Sequence, residues 1–278
     1  MCVWLVGAFV AAMTAVGQDA RGAPRLAIRN ATAHVVIIPE ARSDIQVTML
    51  KSRRDLPIRI SRAGDVTTIA GDVAHRVRGC GTPARGPGVR VRGIGPVAEA
   101  DLPQIVVRTP LNVRVTASNA VSGAVGRAAS VDFENRGCGS WTLANTRGRL
   151  RFSQVGSGDV RTGRTGAADL SVTGGGSIAV RQVSGPLTAI SSGEGAIMVD
   201  SADGPLVARV AGSGDVIVNG GRAAQLNVSV AGSGAVRFGG QAGRVTASVT
   251  GSGRVSIAHA SGPTSKQVFG AGEISVGR

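Results

Sequence analysis

The sequence predicts an all-β protein: a right-handed single-stranded parallel β-helix (β-solenoid) of about eight to nine coils of about 19 residues, with an N-terminal β cap. Three observations predict this fold. A Gly-x-Gly triplet recurs through the second half of the chain, apolar and polar residues alternate on both sides of each triplet, and glycine accounts for 42 of the 278 residues. A unit this short cannot bury its own apolar face, so successive units are expected to stack.

The composition narrows the class of protein. Aromatic residues make up 3 % of the chain and charged residues 17 %, so the core must consist of small aliphatic side chains. Collagens, coiled coils and helical membrane bundles are excluded by this composition. The formal net charge is +14, and Lys51 and Lys266 are the only lysines among the 31 basic residues. The excess of positive charge favours an acidic partner. Genome base composition can also produce an arginine bias.

Residues 1–17 have the features of a secretory signal peptide that extends to about residue 23. The apolar run 3–16 is shorter than the roughly 20 residues of a spanning helix, and small and polar residues follow it. The departure from the usual pattern is that no basic residue precedes Arg21. We therefore predict an exported protein, periplasmic or at the cell surface, with no transmembrane segment after removal of the signal.

Residues 25–115 are predicted to form a non-repeating β cap over the N-terminal end of the solenoid, because short β-branched segments alternate there with Pro, Gly and Asp turns. A stretch between His75 and Arg92 contains five arginines and no acidic residue, and we interpret it as a mobile basic loop. It is a candidate anion-binding surface, and the alternative is an ordinary solvated loop. The five candidates are Arg76, Arg78, Arg85, Arg90 and Arg92.

Residues 116–278 are predicted to form the parallel β-helix itself, with one degenerate coil near 118–128. Eight triplets follow one another at intervals of 18 to 20 residues, with one short strand before and one after each triplet. We expect the triplets to turn the chain at corners, where a Cβ would strike the neighbouring coil. The predicted turn glycines are Gly137, Gly139, Gly156, Gly158, Gly174, Gly176, Gly193, Gly195, Gly212, Gly214, Gly232, Gly234, Gly251, Gly253, Gly270 and Gly272.

Two cysteines remain once Cys2, within the predicted signal peptide, is set aside. Cys80 and Cys138 each lie in a Gly-Cys-Gly triplet, and an even pair in an oxidising compartment predicts one disulfide between the cap and the first full coil. The alternative is two buried free thiols. The three histidines are scattered without ligand spacing, so neither a metal nor a cofactor is predicted.

The runs Val-Ala-Gly-Ser-Gly-Asp-Val at 210–216 and Val-Ala-Gly-Ser-Gly-Ala-Val at 230–236 resemble a bacterial family called putative auto-transporter adhesin, head GIN domain. The resemblance covers about residues 118–278. It implies an exported β-solenoid of the cell envelope with a loose link to adhesion, in a family of unknown function. It supplies no catalytic residues.

These features together predict a non-enzymatic envelope scaffold or adhesin-like binding module whose ligand is unknown. The candidate partners are an acidic envelope glycan, lipopolysaccharide or another envelope protein, and the C-terminal end of the solenoid is a candidate surface for self-association. Nucleic acid is not expected as a partner, because no aromatic residues interleave with the arginines.

The alternative function is a carbohydrate-active enzyme that acts on acidic polysaccharide. Asp159 and Asp215 follow their triplets three coils apart, at about 14 Å along the stack, which exceeds the roughly 9.5 Å of glycosidase carboxylate pairs. No nucleophile lies at motif spacing from a base, so no catalytic residue is predicted.

Overall fold

The computed structural model describes residues 24–82 and 86–277 of the chain. Within these residues the protein is nearly all β, and its parallel strands stack in about nine turns of a β-solenoid. This confirms the predicted fold class. The predicted signal peptide at 1–17 and the candidate Arg85 lie outside the described residues.

Almost every described residue lies in a strand or in a turn between two strands. One turn of 3-10 helix, η1 (Glu99–Asp101), precedes β8. The strands are β1 (Arg25–Glu40), β2 (Gln46–Lys51), β3 (Arg59–Ala63), β4 (Val66–Ala70), β5 (Val77–Thr82), β6 (Gly86–Val91), β7 (Gly95–Ala98), β8 (Gln104–Pro110), β9 (Asn112–Val125), β10 (Ser130–Gly137), β11 (Trp141–Leu143), β12 (Thr146–Val155), β13 (Asp159–Gly174), β14 (Ser177–Val183), β15 (Leu187–Gly193), β16 (Ala196–Asp203), β17 (Leu206–Gly212), β18 (Asp215–Val218), β19 (Gly221–Gly232), β20 (Ala235–Gly251), β21 (Arg254–Ala260), β22 (Thr264–Phe269) and β23 (Glu273–Val276).

Two long ladders of parallel strands form the broad faces of the stack. Each strand pairs with the strands one coil earlier and later, as Leu206 does with Leu187 and Leu226. Equivalent positions therefore form columns, and the inward columns are mostly aliphatic and buried. Face A contains, in stacking order, β4, the first part of β1, the first part of β9, β10, β12, the second part of β13, β15, β17, the second parts of β19 and β20, and β22. Face B contains β8, the second parts of β1 and β9, β11, the first part of β13, β14, β16, β18, the first part of β20, β21 and β23.

A third, shorter ladder closes the coils between face B and the next strand of face A. Ala128 pairs with Thr146, Thr146 with Thr165, and Thr165 with Val183. All four side chains point inward and are buried. The sequence predicted only two strands per coil, because one or two residues in each coil are too few to produce an alternating pattern.

The N-terminal region is part of the stack and not only a cover over it. β1 lies parallel on β9, with Leu26 opposite Val115 and Val35 opposite Gly123. β4 and β8 continue the two faces beyond β1, and the antiparallel strands β2 and β3 lie at their outer edges. In chain order, the strands that belong to the stack therefore start at Arg25, ahead of the predicted boundary at 115/116. The sequence did not reveal this, because β1 and β9 are separated by residues without the repeat.

The Gly-x-Gly triplets turn the chain from face A to face B. In the seven triplets from Gly156 onward, the first glycine has φ between +109° and +133°, where an L-residue with a side chain is strained. The second glycine lacks a positive φ, but a Cβ on Gly214 would overlap the carbonyl oxygen of Gly195 in the previous coil. The two glycines are thus required for different reasons, one conformational and one steric.

Polar side chains replace valine at a few inward positions next to these turns. The Asn135 amide donates hydrogen bonds of 2.9 Å to the Gln154 side chain and to the carbonyl oxygen of Gly139. One coil later the Gln154 amide donates to the Gly137 carbonyl oxygen at 3.2 Å. The NH2 groups of both buried amides therefore donate to carbonyl oxygens, two of which belong to the turn.

Candidate anion-binding surface

The basic stretch between His75 and Arg92 folds into a small antiparallel sheet and is not the predicted loop. β5 pairs with β6 and β6 with β7. Val89, Val91 and Val97 form its buried side and pack with Leu102 and Ala120 in a second hydrophobic cluster, separate from the solenoid core. The sheet could not be predicted from the sequence, because four glycines interrupt the alternating pattern of β5 and β6.

The outer side of this sheet carries four of the five candidate arginines. Arg90 and Arg92 flank the buried Val91 and are exposed, as the alternation of a strand requires. Arg92 lies opposite Arg76, whose carbonyl oxygen accepts a 2.7 Å hydrogen bond from the Arg92 amide. Arg78 is the extra residue of a bulge next to the pair of Gly79 and Arg90. We call Arg76, Arg78, Arg90 and Arg92 the basic sheet.

Three of these four arginines lack the carboxylate partner that other arginines of the region have. Arg76 Nη1 lies 3.8 Å from Asp72 Oδ1, whereas Arg78, Arg90 and Arg92 make no ion pair with any residue of 24–82 or 86–277. Like charges placed opposite one another destabilise a sheet. The stability of the fold therefore does not explain why four arginines share this surface.

Arg53 illustrates the ordinary arrangement. Its Nε donates a 2.7 Å hydrogen bond to Asp55 Oδ1. This hydrogen bond lowers the pKa of the Asp55 carboxyl below its ordinary value and raises that of the Arg53 guanidinium. The charge of Arg53 is therefore compensated within the protein, whereas Arg78, Arg90 and Arg92 have no carboxylate partner among the described residues.

The predicted disulfide between Cys80 and Cys138 is confirmed, with 5.5 Å between the two Cα atoms. Cys80 belongs to β5, and Cys138 to the turn between β10 and β11, so the bond ties the basic sheet to the solenoid. A cavity of about 160 Å³ lies beside the disulfide and is lined by Val89, Leu102, Glu99 and other residues. The disulfide and the second hydrophobic cluster thus fix the three-stranded sheet β5–β7, with its arginines, to the solenoid.

A polar cluster beside this cavity was missed by the sequence analysis. His34 Nδ1 lies 2.6 Å from Glu99 Oε1, and Ser122 Oγ donates a 2.7 Å hydrogen bond to the same oxygen. The residues come from β1, η1 and β9, and no local motif links positions so far apart in the sequence.

The geometry of this cluster fits a structural tie. A serine nucleophile needs a hydrogen bond to its base, whereas the short bond of Ser122 runs to Glu99. The imidazole nitrogen nearest to the hydroxyl, at 3.5 Å, is the one that Glu99 already contacts. We therefore interpret the cluster as a link between the first coils and η1.

The acidic residues that follow the triplets also bond to neighbouring coils. Ser177 Oγ donates to Asp159 Oδ1 at 2.6 Å, and the amide of Ala235 donates to Asp215 Oδ1 at 3.0 Å. In the described part of the chain, no three His, Cys, Asp or Glu residues lie together in a group able to hold a metal ion. Over the same residues, no helix has the length and hydropathy needed to span a bilayer.

The fold defines the class of this protein as a parallel β-solenoid, and comparison with known proteins refines it. Residues 187–277 match the model of the family "Putative auto-transporter adhesin, head GIN domain", which confirms the resemblance predicted from the glycine triplets. No curated protein matches the sequence of this chain.

Two solved structures from Parabacteroides distasonis ATCC 8503 share the fold. One is described as a putative lipid binding protein, with a TM-score of 0.54 and 15 % identity over 91 % of this chain and 92 % of that chain. The other is described as a putative adhesin, with a TM-score of 0.52 and 17 % identity over 90 % of this chain and 92 % of that chain. At such low identity the likeness concerns the fold alone.

Proposed function

We propose that this protein is an exported, non-enzymatic binding module of the cell envelope, and that its basic sheet holds anionic groups of the envelope. The observation that carries the proposal is the pairing of like charges on the basic sheet, with Arg76 opposite Arg92 and Arg78 beside Arg90. A bound carboxylate or phosphate relieves the repulsion within these pairs and forms charge-assisted hydrogen bonds with the guanidinium groups.

The mounting of the sheet supports the same function. A rigid surface loses little conformational entropy when it binds, so charges held on a disulfide-linked sheet are better placed for binding than charges on a loop. The names of the structural neighbours and the matched family refer to adhesion or lipid binding. The disulfide supports an oxidising location, which for this protein is the periplasm or the cell surface.

The proposal is tested by co-sedimentation of the mature protein with purified envelope fractions at about 0.05 M and about 0.5 M NaCl, where screening differs strongly. We expect binding at low salt that is lost at high salt. A variant with Arg76, Arg78, Arg90 and Arg92 changed to Gln is expected to bind at least about fivefold less at low salt. Parallel arms with purified lipopolysaccharide and purified acidic envelope glycan distinguish the two sources of anionic groups.

The matched control removes four exposed arginines from the distal coils. Arg209, Arg222, Arg237 and Arg244 are exposed and form no ion pair within the described residues, so their change to Gln breaks no ion pair. It lowers the net charge by four, as the basic-sheet variant does. We expect this control to bind within about twofold of the unmodified protein. Equal losses in both variants, or no loss in either, contradict the proposed role of the basic sheet.

A further inference from the structure

A second group of unpaired arginines lies along the third ladder of the solenoid, away from the basic sheet. Arg127 directly precedes the buried Ala128, Arg147 directly follows the buried Thr146, and both are exposed. One coil further on, Arg164 precedes the buried Thr165 and is exposed as well. Arg127 and Arg164 lie in one column two coils apart, with Asn145 between them, and Arg147 lies on the middle coil two residues beyond Asn145. Parallel strands stack about 4.8 Å apart, so the three arginines occupy three successive coils.

Two further arginines extend the group onto the adjoining part of face B. Arg161 is exposed between the inward-pointing Val160 and Thr162, and Arg181 is exposed after the buried Val180 one coil later. We call Arg127, Arg147, Arg161, Arg164 and Arg181 the arginine ridge. It spans four coils, or about 14 Å along the stack.

The hydrogen-bonding neighbours of Arg164 in the arginine ridge are neutral polar groups. Asn145 Oδ1 accepts a 2.9 Å hydrogen bond from the backbone amide of Arg164, and Gln182 pairs with Arg164 on the other side. Asp159 lies two residues before Arg161, but it accepts a hydrogen bond from Ser177 Oγ. No ridge arginine forms an ion pair with any described residue. In the coil after Arg181, the strand register places Asp200 at the equivalent position, and the ridge ends there.

The same coils pair their arginines with carboxylates on face A. Arg149 Nη1 lies 2.8 Å from Asp169 Oδ2, and Arg151 Nη2 lies 3.8 Å from the same oxygen. Two coils before Arg151, Arg114 Nε lies 3.5 Å from Asp132 Oδ2. The lack of partners on the ridge is therefore a property of this edge and not of these coils in general.

We propose that the arginine ridge binds a linear acidic polysaccharide whose carboxylates lie along the stack axis. The planar fork of a guanidinium group matches a carboxylate with two parallel hydrogen bonds. Arginines on four successive coils suit a ligand whose charges repeat along a chain better than a single small anion. The inference goes beyond the proposed function, because it assigns a second site on different residues.

The surroundings of the ridge favour a polysaccharide over other polyanions. Proteins that bind single-stranded nucleic acid stack its bases on aromatic side chains, but Trp141, Phe133 and Phe152 in these coils are all buried. A bilayer surface is bound by apolar side chains that insert among the lipids. Gly126, Gly163 and Asn145 next to the ridge offer no such side chain, and Leu111, which accepts a backbone hydrogen bond from Ala129, is one exposed apolar residue at its first coil.

The test is titration calorimetry with an oligogalacturonate of about ten residues at several NaCl concentrations. We expect the decamer to bind at least about tenfold more tightly than galacturonic acid, since several arginines engage one chain. Changing Arg127, Arg147, Arg161 and Arg164 to Gln is expected to weaken decamer binding at least about tenfold and to flatten its salt dependence. A variant with lysine at the same four positions keeps the charge and loses the fork, so we expect an intermediate loss.

The control is the same distal variant that tests the basic sheet, with Arg209, Arg222, Arg237 and Arg244 changed to Gln, and it is expected to bind the decamer within about twofold of the unmodified protein. Equal decamer affinity in the ridge and control variants overturns the proposal. Tighter binding to a DNA duplex or to anionic vesicles than to the decamer, lost in the ridge variant, overturns the assignment to polysaccharide.

The basic-sheet variant keeps the two proposals separate. If it loses binding to envelope fractions while decamer binding persists, the basic sheet and the arginine ridge are separate binding sites and both proposals are supported. If it binds envelope fractions normally while the ridge variant loses the decamer, the proposed function fails and the ridge assignment stands.

Discussion

The second glycine of each triplet lies where successive coils approach each other closely. Gly214 is buried, and a Cβ at this position would overlap both the Gly195 carbonyl oxygen and the Ser191 hydroxyl of the previous coil. The carbonyl belongs to the stacked backbone, which cannot move without breaking the ladder. The middle residue, Ser213, is exposed on the same turn. A single turn therefore holds one position that excludes any side chain and one that accepts many.

We expect Gly214→Val to destabilise the protein by at least about 3 kcal/mol, because the added side chain forces the coils apart. Thermal unfolding followed by circular dichroism measures the effect. Ser213→Val adds the same side chain to the same turn and is expected to change stability by less than about 0.5 kcal/mol. Gly214→Val with an unfolding midpoint like that of Ser213→Val contradicts the steric role.

The repeat was predictable at this scale because each coil imposes the same requirement on the same position. The inward positions two residues before the triplets carry valine in most coils, but Asn135, Gln154 and Ser191 break the column. The structure explains all three exceptions, since Asn135 donates to the carbonyl oxygen of Gly139, Gln154 to that of Gly137 and Ser191 to that of Gly195. A sequence pattern marks such substitutions as irregular, and only the positions of the turn carbonyls give their reason.

Among the elements, the three-stranded sheet β5–β7 differs most from its prediction. Its arginines were recognised from composition, but their grouping on one surface depends on the pairing of β5 with β6, with Gly79 opposite Arg90. The disulfide was predictable because Cys80 and Cys138 are an even pair within matching Gly-Cys-Gly triplets. The cluster of His34, Glu99 and Ser122 was not, since it depends on the packing of η1 against β1 and β9.

The disulfide closes a loop of 58 residues and links this sheet to the solenoid. The chain-entropy treatment assigns about 4 kcal/mol to a loop of that length, and measured disulfides contribute about 2–4 kcal/mol. The sheet also has its own buried cluster, which includes Val89, Val91 and Leu102. We therefore expect the double variant Cys80→Ser, Cys138→Ser to fold but to unfold at a lower urea concentration.

Urea titrations of both proteins with and without a thiol reductant measure this contribution. Reductant is expected to lower the midpoint of the unmodified protein to that of the double variant and to leave the variant unchanged. A midpoint of the unmodified protein that does not respond to reductant, once both thiols are shown to be free, contradicts a stabilising role for the bond.

At the scale of the whole molecule, the two ends of the stack differ. At the N-terminal end the edges of the two parallel faces are covered by antiparallel strands, with Met49 of β2 opposite Ile105 and Ile60 of β3 opposite Ile69. The stack itself could be predicted from the period of the triplets, whereas this end could not, because its strands pair over long distances without a repeat. The ends determine whether copies of the protein can join.

The last described coil places a charge among its inward positions. Lys266 of β22 pairs in register with Ala247, which pairs with Val228, and both of these are buried core residues. Any strand added beyond β22 would bury the ammonium group of Lys266 without a partner, which is costly. Inward-pointing charges protect exposed sheet edges from pairing with other chains. This arrangement opposes the predicted self-association at the C-terminal end.

We therefore expect the unmodified protein to remain monomeric and Lys266→Val to associate through this end as its concentration rises, because the substitution completes an apolar column at an open edge. Sedimentation velocity over a wide range of concentrations measures the association. Ser265→Val adds the same side chain to β22 at an outward position and is expected to leave the protein monomeric. Concentration-dependent association of the unmodified protein, or a Lys266→Val variant as monomeric as Ser265→Val, contradicts the protective role of Lys266.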